Sequence, residues 1–169
     1  MLTLIENANV FAPEPLGVGD VLLAGGKIIH AGPSLADIDP ALIEHRLDLD
    51  GAPLVPGLID AHVHVTGGGG EDGFSTQAPV VPLTQFTLHG VTSVVGLLGT
   101  DDETRSTASL LARTRALREE GLSAWCWTGG FHVPPTTLTG SVRSDIVHID
   151  CVIGLGEIAI SDHRSSQPT

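Results

Sequence analysis

The chain has 169 residues, of which 41% are hydrophobic, and this is enough to form the core of a globular domain without disulfides. Its formal net charge is −12, from twenty acidic against eight basic residues, so no clustered basic surface is expected and binding to nucleic acid is excluded. No segment approaches the roughly 20 apolar residues of a membrane span, so no membrane insertion is expected. Cys126 and Cys151 lie in apolar runs without metal-ligand spacing, which predicts reduced core residues in a cytoplasmic protein.

Residues 1–55 are predicted to form a small β domain, part of a β-sandwich. Two short apolar runs, residues 21–24 and 27–30, are separated by Gly25 and Gly26, which tolerate the positive φ angles of a hairpin turn. Residues 46–50 alternate polar and apolar side chains, as a strand with one buried face does.

Residues 56–169 are predicted to form strands that alternate with helices, the pattern of a parallel sheet built from βα units. The strand candidates are residues 58–63, 93–98, 123–127 and 152–160, and the helix candidates are residues 80–89 and 104–120. A complete (β/α)8 barrel takes about 250 residues, so this stretch corresponds to roughly the first half. The predicted fold class is therefore α/β, a small N-terminal β domain followed by half of a (β/α)8 TIM-type barrel. A complete smaller α/β domain is the alternative.

His62 and His64 are the candidate metal ligands. They are two residues apart in a predicted strand, so both imidazoles project to the same face and can bind one metal ion together. The pair lies at the carboxyl end of the first predicted barrel strand, where barrel active sites are built. Two unrelated solvent-facing or core histidines are the alternative. The next residues, 67–70, are all glycine. They are predicted to form a loop whose backbone approaches a ligand closely, with Gly69 as a substrate contact, and a merely flexible loop is the alternative.

Five segments resemble a known family. The first resembles the opening strand signature of the metal-dependent amidohydrolase superfamily, and the other four narrow the resemblance to the isoaspartyl (β-aspartyl) dipeptidase family. The segments are PGLIDAHVH (56–64), GGGGE (67–71), GVTSVVGLLGT (90–100), TGS (139–141) and ISDHRS (160–165). The resemblance implies a hydrolase that uses two metal ions, usually zinc, to cleave the β-aspartyl amide bond of a small dipeptide substrate. It also implies a homo-oligomer for the full-length protein.

The resemblance also assigns substrate contacts. Glu71 would hold the α-ammonium of the substrate, Thr100 its aspartyl end, and Arg164 a carboxylate. Each has a simpler alternative: a solvated acidic pair with Asp72, a helix cap and a surface charge, respectively. The proton-shuttling aspartate and the ligands of the second metal are expected beyond residue 169. The chain alone is therefore predicted to be inactive.

By the same resemblance, His62 and His64 bind the more buried ion, and many superfamily members bridge the two ions with a carboxylated lysine on the fourth strand. Lys27, the only lysine, lies in the β domain, so this bridge is excluded for residues 56–169. Glu157 occupies the matching place and offers two oxygens that can span ions about 3.5–4 Å apart. A buried, unpaired carboxylate is costly, so a metal partner explains Glu157 better than a structural role does.

One residue departs from the family pattern. The family usually places a tyrosine after the third strand, where its hydroxyl polarises the scissile carbonyl, but this chain has Phe131. Losing such a donor costs about 10²–10³ in rate, so His132 or the metal takes over, or the substrate differs. The alternatives to a dipeptidase are therefore another amidohydrolase, such as a cyclic-amide hydrolase, and a non-catalytic remnant that binds a metal or a partner.

Overall fold

The computed structural model describes residues 2–35, 38–69 and 72–159. The chain divides into two compact units, residues 1–56 and 57–169. The described residues form eleven β-strands and three α-helices. Among them, no helix has the length and apolar character needed to cross a bilayer.

The first unit is a mixed five-stranded sheet. Its strands are β1 (Leu2–Phe11), β2 (Pro15–Ala24), β3 (Lys27–Gly32), β4 (Ile43–Asp48) and β5 (Pro53–Leu54). The order is β3-β2-β1-β4, and β5 also pairs with β1. The β1–β2 and β2–β3 pairs are antiparallel, whereas β4 and β5 run parallel to β1. A small buried cluster is formed by Ala8, Val10 and Val21.

Local backbone chemistry explains two features of this sheet. Gly25 and Gly26 adopt φ angles of 56° and 73° in the β2–β3 hairpin, as the glycine pair predicts. Asn7 has a φ of 52° at an irregularity in β1, and Asn tolerates this region better than most residues. Its backbone N–H donates to Asp20 at 3.2 Å and its side-chain amide to Asp48 at 2.9 Å, which fixes the bend.

The second unit is a parallel sheet whose strands follow each other in chain order. The strand β6 (Leu58–Val63) is followed by a short antiparallel hairpin of β7 (Gly68–Gly69) and β8 (Gln77–Ala78). The remaining strands are β9 (Val91–Gly96), β10 (Ser123–Thr128) and β11 (Val152–Leu155), and the sheet order is β11-β10-β9-β6. The helices are α1 (Leu83–Thr87), α2 (Thr107–Glu119) and α3 (Val142–His148). Each strand pairs in parallel with the next, which confirms the predicted α/β class.

The bounds of α2 follow from its caps. The Ser106 hydroxyl accepts from the Ser109 backbone, and the Ser109 hydroxyl accepts from the Ser106 backbone, so the helix begins after Ser106 rather than at residue 104 as predicted. Gly121 ends it with a φ of 97°, and its N–H donates to the carbonyl of Arg118 at 3.0 Å.

Other predicted bounds are wrong. The strand predicted over residues 152–160 ends at Leu155, and the helix predicted over residues 80–89 shrinks to five residues that begin after Pro82. Helix α3 is absent from the sequence prediction. Its one fully buried residue is Asp145, so the apolar stripe that reveals most helices is missing.

The core of the second unit lies between the sheet and its helices. Its buried members are Val65, Phe86, Val94, Leu98, Leu110, Leu117, Leu122, Ala124, Cys126, Cys151 and Val152. The two cysteines are free and buried, in agreement with their prediction as reduced core residues.

Candidate metal centre

Three polar side chains meet at the carboxyl ends of the parallel strands. His62 and His64 lie at the end of β6, and Glu157 lies two residues beyond β11. These two strands form opposite edges of the four-stranded sheet. Neighbouring strands lie about 4.8 Å apart, so in a flat sheet the two edges would be separated by about 14 Å. Glu157 Oε2 nevertheless lies 3.7 Å from His62 Nε2 and 4.0 Å from His64 Nε2. Curvature of the sheet and the reach of the side chains bring them together.

The orientation of His64 suits a ligand. Its Nδ1 lies 3.2 Å from the carbonyl oxygen of Leu98. Because a carbonyl only accepts hydrogen bonds, this contact places the proton on Nδ1 and leaves the lone pair on Nε2, the atom that faces Glu157. Metal-binding histidines are commonly fixed by such a bond to the second ring nitrogen.

Glu157 shows that a cation fits among these groups. Its Oε2 atom is buried, and the described residues offer it no hydrogen-bond partner, although the side chain as a whole is 31% exposed. The distances to the two histidines are too long for hydrogen bonds. An unpaired buried carboxylate oxygen is costly, whereas two imidazole nitrogens and a carboxylate oxygen form a common donor set for divalent metals. The three ligand atoms lie within 4.8 Å of one another, so the group can hold a metal ion.

The glycine run beside the centre is packed rather than loose in its described part. A Cβ on Gly67 would lie 2.3 Å from the carbonyl oxygen of Ala78, and one on Gly68 would lie 3.2 Å from the Asp101 side chain. Asp101 is buried and accepts a hydrogen bond from Gln77 Nε2 at 3.2 Å. Gly67 and Gly68 therefore lie close to neighbouring residues, and the approach of the run to a ligand stays a prediction.

The four predicted substrate contacts are only partly within the described residues. Gly69 lies in β7 with a φ of 85°, and a Cβ there would meet no described atom within 4 Å. Thr100 lies beyond the end of β9 and is half-buried. It does not cap the next helix, because Ser106 does. Glu71 and Arg164 lie outside the described residues, and all four roles stay predictions.

Sequence reasoning named His132 but missed its partner at this end of the sheet, Asp102. His132 Nδ1 lies 2.7 Å from Asp102 Oδ1, and the Asp102 side chain is only 2% exposed. A signal existed, because both residues follow the ends of neighbouring strands, β9 and β10, where parallel strands place functional groups. Phe131 is buried, and its ring meets that of His132 edge-on with 6.5 Å between centroids.

Asp145 organises the loop that follows β10. Its buried carboxylate accepts hydrogen bonds from the Thr128 hydroxyl, from the Leu138 backbone at 2.9 Å, and from the backbone and hydroxyl of Thr139 at 2.8 and 2.6 Å. Burial raises the pKa of Asp145, but these hydrogen bonds lower it by more, so the pKa lies below its ordinary value of 3.8.

No family model matches the chain. The chain is 52% identical to the β-aspartyl dipeptidase of Fervidobacterium islandicum AW-1, solved in complex with the β-Asp-Leu dipeptide, with a TM-score of 0.89. That match covers 100% of this chain and 44% of the dipeptidase.

Two curated relatives are more distant. A dihydroorotase of Lactiplantibacillus plantarum is 27% identical over 172 residues, which cover 100% of this chain and 37% of the relative. An imidazolonepropionase of Salinispora arenicola is 31% identical over 149 residues, which cover 85% of this chain and 36% of the relative. The chain thus spans less than half the length of each relative. Since these relatives are hydrolases of one superfamily, the chain belongs to the amidohydrolase superfamily, as the counterpart of the N-terminal part of a β-aspartyl dipeptidase.

Proposed function

We propose that the protein containing this chain is a metal-dependent hydrolase that cleaves the β-aspartyl amide bond of dipeptides. The observation that carries this proposal is the convergence of His62, His64 and the unpartnered oxygen of Glu157 at the carboxyl ends of parallel strands. The relative from Fervidobacterium islandicum was crystallised with β-Asp-Leu, and its 52% identity over this whole chain supports the same substrate class.

Zinc is the proposed metal, with two ions in the complete site. His62 and His64 would hold one ion through Nε2, and Glu157 would contribute Oε2 while its second oxygen remains available to the other ion. A zinc ion there would polarise the scissile carbonyl as a Lewis acid. The remaining ligands and the proton-shuttling aspartate are proposed to come from barrel strands that these residues do not include.

The substrate contacts follow from the charges of a β-aspartyl dipeptide. The carboxylate of Glu71 suits its α-ammonium, and the planar guanidinium of Arg164 suits a carboxylate. Gly69 and Thr100 are the proposed contacts among the described residues. They follow β6 and β9 at the end of the sheet where the candidate ligands lie, which supports a shared site.

The proposed organisation is a small β domain of residues 1–55 and the first half of a barrel in residues 56–169. The division of the chain after Pro56 and the sequential parallel order of β6, β9, β10 and β11 support it. The free, buried Cys126 and Cys151 support a reducing compartment, the cytoplasm. The homo-oligomer stays a prediction.

A second candidate function is hydrolysis of a cyclic amide. It is favoured by Phe131, which has no hydroxyl to donate to a scissile carbonyl, and by the dihydroorotase relative, whose match extends over the whole chain. The two candidate functions share the metal centre and differ in the substrate, so one assay separates them.

The test uses the whole protein with its barrel complete, loaded with zinc and assayed on β-Asp-Leu, hydantoin and dihydroorotate. We expect turnover of β-Asp-Leu that a chelator abolishes and zinc restores. His64→Ala should lower the rate at least about 100-fold because it removes a metal ligand, whereas His45→Ala, an exposed histidine of the first unit, should not. Turnover of a cyclic amide alone would select the second candidate, and chelator-resistant turnover would refute both.

The isolated 169-residue chain tests whether the described residues hold only the first set of metal ligands. It should bind zinc in calorimetry through His62, His64 and Glu157 without turning over β-Asp-Leu, because the second set of ligands is proposed to come from other barrel strands. Measurable hydrolysis by this chain would show that the described residues hold a complete site.

A further inference from the structure

Asp102 and His132 form a hydrogen-bonded pair separate from the three candidate metal ligands. His132 Nδ1 lies 2.7 Å from Asp102 Oδ1, and the His132 backbone N–H donates to Asp102 Oδ2 at 3.3 Å. The carboxylate therefore holds both the ring and the main chain of the same residue. Because a carboxylate only accepts, the proton of this contact belongs to Nδ1, and Nε2 is the ring nitrogen left over.

The backbone is built to admit this pair. A Cβ on Gly130 would lie 2.4 Å from both Cβ and Oδ2 of Asp102, so only glycine lets the loop after β10 pass so close to the carboxylate. The carbonyl of Phe131 accepts from Ala159 N at 3.0 Å, which ties this loop to the segment that carries Glu157. On the other side, Asp102 is three residues beyond Gly99, whose Cα passes against His64 and Glu157. The two loops that carry the pair are thus joined to the backbone segments that flank the candidate metal centre.

The pair is open to solvent on one side only. The Asp102 side chain is 2% exposed, while that of His132 is 31% exposed. The Nδ1 edge of the ring faces the buried carboxylate, so Nε2 lies on the opposite edge. The hydrogen bond and the ion pair that the His132 ring makes with a described residue both use Nδ1. A buried carboxylate that fixes an imidazole and leaves its outer nitrogen free is an arrangement for contacting a ligand.

We propose that His132 contacts the substrate, accepting a hydrogen bond at Nε2 from a substrate N–H, and that Asp102 is the residue that positions it. This inference rests on the proposed function, whose substrates carry an amide N–H and an α-ammonium as donors. With the Nδ1 proton directed at Asp102, the lone pair of the ring lies on Nε2, as it does in His64. His132 thereby supplies a polar contact in the loop where the Phe131 side chain offers none.

The experiment exploits the two nitrogens of the ring. In His132→Asn the amide nitrogen takes the place of Nδ1 and keeps the bond to Asp102, whereas in His132→Gln the amide takes the place of Nε2 and keeps an outer acceptor in its oxygen. The whole zinc-loaded protein is assayed on β-Asp-Leu, and melting temperatures are measured alongside. We expect His132→Asn to lower kcat/KM about 100-fold with little change in melting temperature, and His132→Gln to retain activity within about tenfold.

The opposite order would overturn the inference. If His132 only holds the loop through Asp102, His132→Asn keeps wild-type kinetics and His132→Gln loses stability and activity together. A loss in kcat identifies the amide N–H as the donor, and a rise in KM identifies the α-ammonium. Replacing the exposed His148 by Asn is the matched control and should change neither. Inactive wild-type protein would refute the proposed function, and this inference with it.

Discussion

Gly99 lies directly against the imidazole of His64. A Cβ at Gly99 would be 2.2 Å from His64 Cε1 and 2.7 Å from Glu157 Oε2, distances that no packed side chain adopts. With a φ of 63°, the residue also has a backbone conformation that favours glycine. The main chain after β9 therefore forms one wall of the candidate metal centre, and it does so only while residue 99 has no side chain.

Gly99→Ala should consequently lower zinc affinity about 10–100-fold, because His64 or Glu157 must move to admit the methyl group. Isothermal calorimetry of zinc binding measures this. Gly90→Ala is the control, since Gly90 has a similar φ of 73° but no described atom within 4 Å of its Cβ position. Both variants should lose about 1 kcal/mol of stability from the backbone alone. Equal zinc affinities would contradict the close packing at Gly99.

Asp145→Asn should destabilise the protein by about 3 kcal/mol, because the buried carboxylate accepts four hydrogen bonds that an amide cannot all accept. Urea unfolding at pH 7 measures the change in the free energy of unfolding. Asp72→Asn, an exposed carboxyl, should leave it unchanged.

The same carboxylate predicts a pH dependence. Because the folded state lowers the pKa of Asp145 below 3.8, its stabilising contribution is complete above that value and is lost as the pH falls through the lower, folded pKa. Wild-type protein should therefore lose its stability advantage over Asp145→Asn below about pH 4. A difference in unfolding free energy that stays constant down to pH 2 would contradict the pKa shift.

The two thiols should be inert in the folded protein. Burial raises the pKa of Cys126 to about 12, and Cys151 is 0% exposed, so neither offers an accessible thiolate near neutrality. Iodoacetamide at pH 8 should modify neither cysteine in the native protein and both in denaturant, as counted by mass spectrometry. Rapid labelling of Cys126 before unfolding would show that the core opens locally.

Leu117→Ala should cost about 3 kcal/mol of unfolding free energy, because Leu117 on α2 is 0% exposed and its removal leaves a cavity. Leu88 is 79% exposed, and Leu88→Ala should change stability by less than about 0.5 kcal/mol. Chemical denaturation compares the two. Similar losses of unfolding free energy in the two variants would mean that Leu88 is buried in the protein in solution.

The sequence predicts what depends on periodicity and local chemistry. The hairpin at Gly25 and Gly26, the strand that contains His62 and the C-terminal end of α2 at Gly121 each depend on residues adjacent in the chain. Helix α3 does not depend on adjacent residues alone. Its buried Asp145 carboxylate accepts hydrogen bonds from the backbone of Leu138 and Thr139, which lie in the preceding loop.

The candidate site divides in the same way. His62 lies in β6 and His64 directly follows the strand, so their proximity follows from the local chain alone. The pairing of Asp102 with His132 depends on two loops that meet in space, and the sequence indicates only that these loops follow neighbouring strands. The sequence predicts Glu157 as a buried strand residue, yet it lies past the end of β11, and its side chain is 31% exposed although its Oε2 atom is buried.

The position of the candidate ligands on opposite edges of the sheet links metal binding to strand assembly. A cation held by His62, His64 and Glu157 would cross-link β6 to β11 across the two strands between them. Any free energy gained by binding the ion would then also stabilise the curvature of the sheet, by mass action. Removing the metal should loosen the two edge strands first, and hydrogen exchange of their amides would rise before that of β9 and β10.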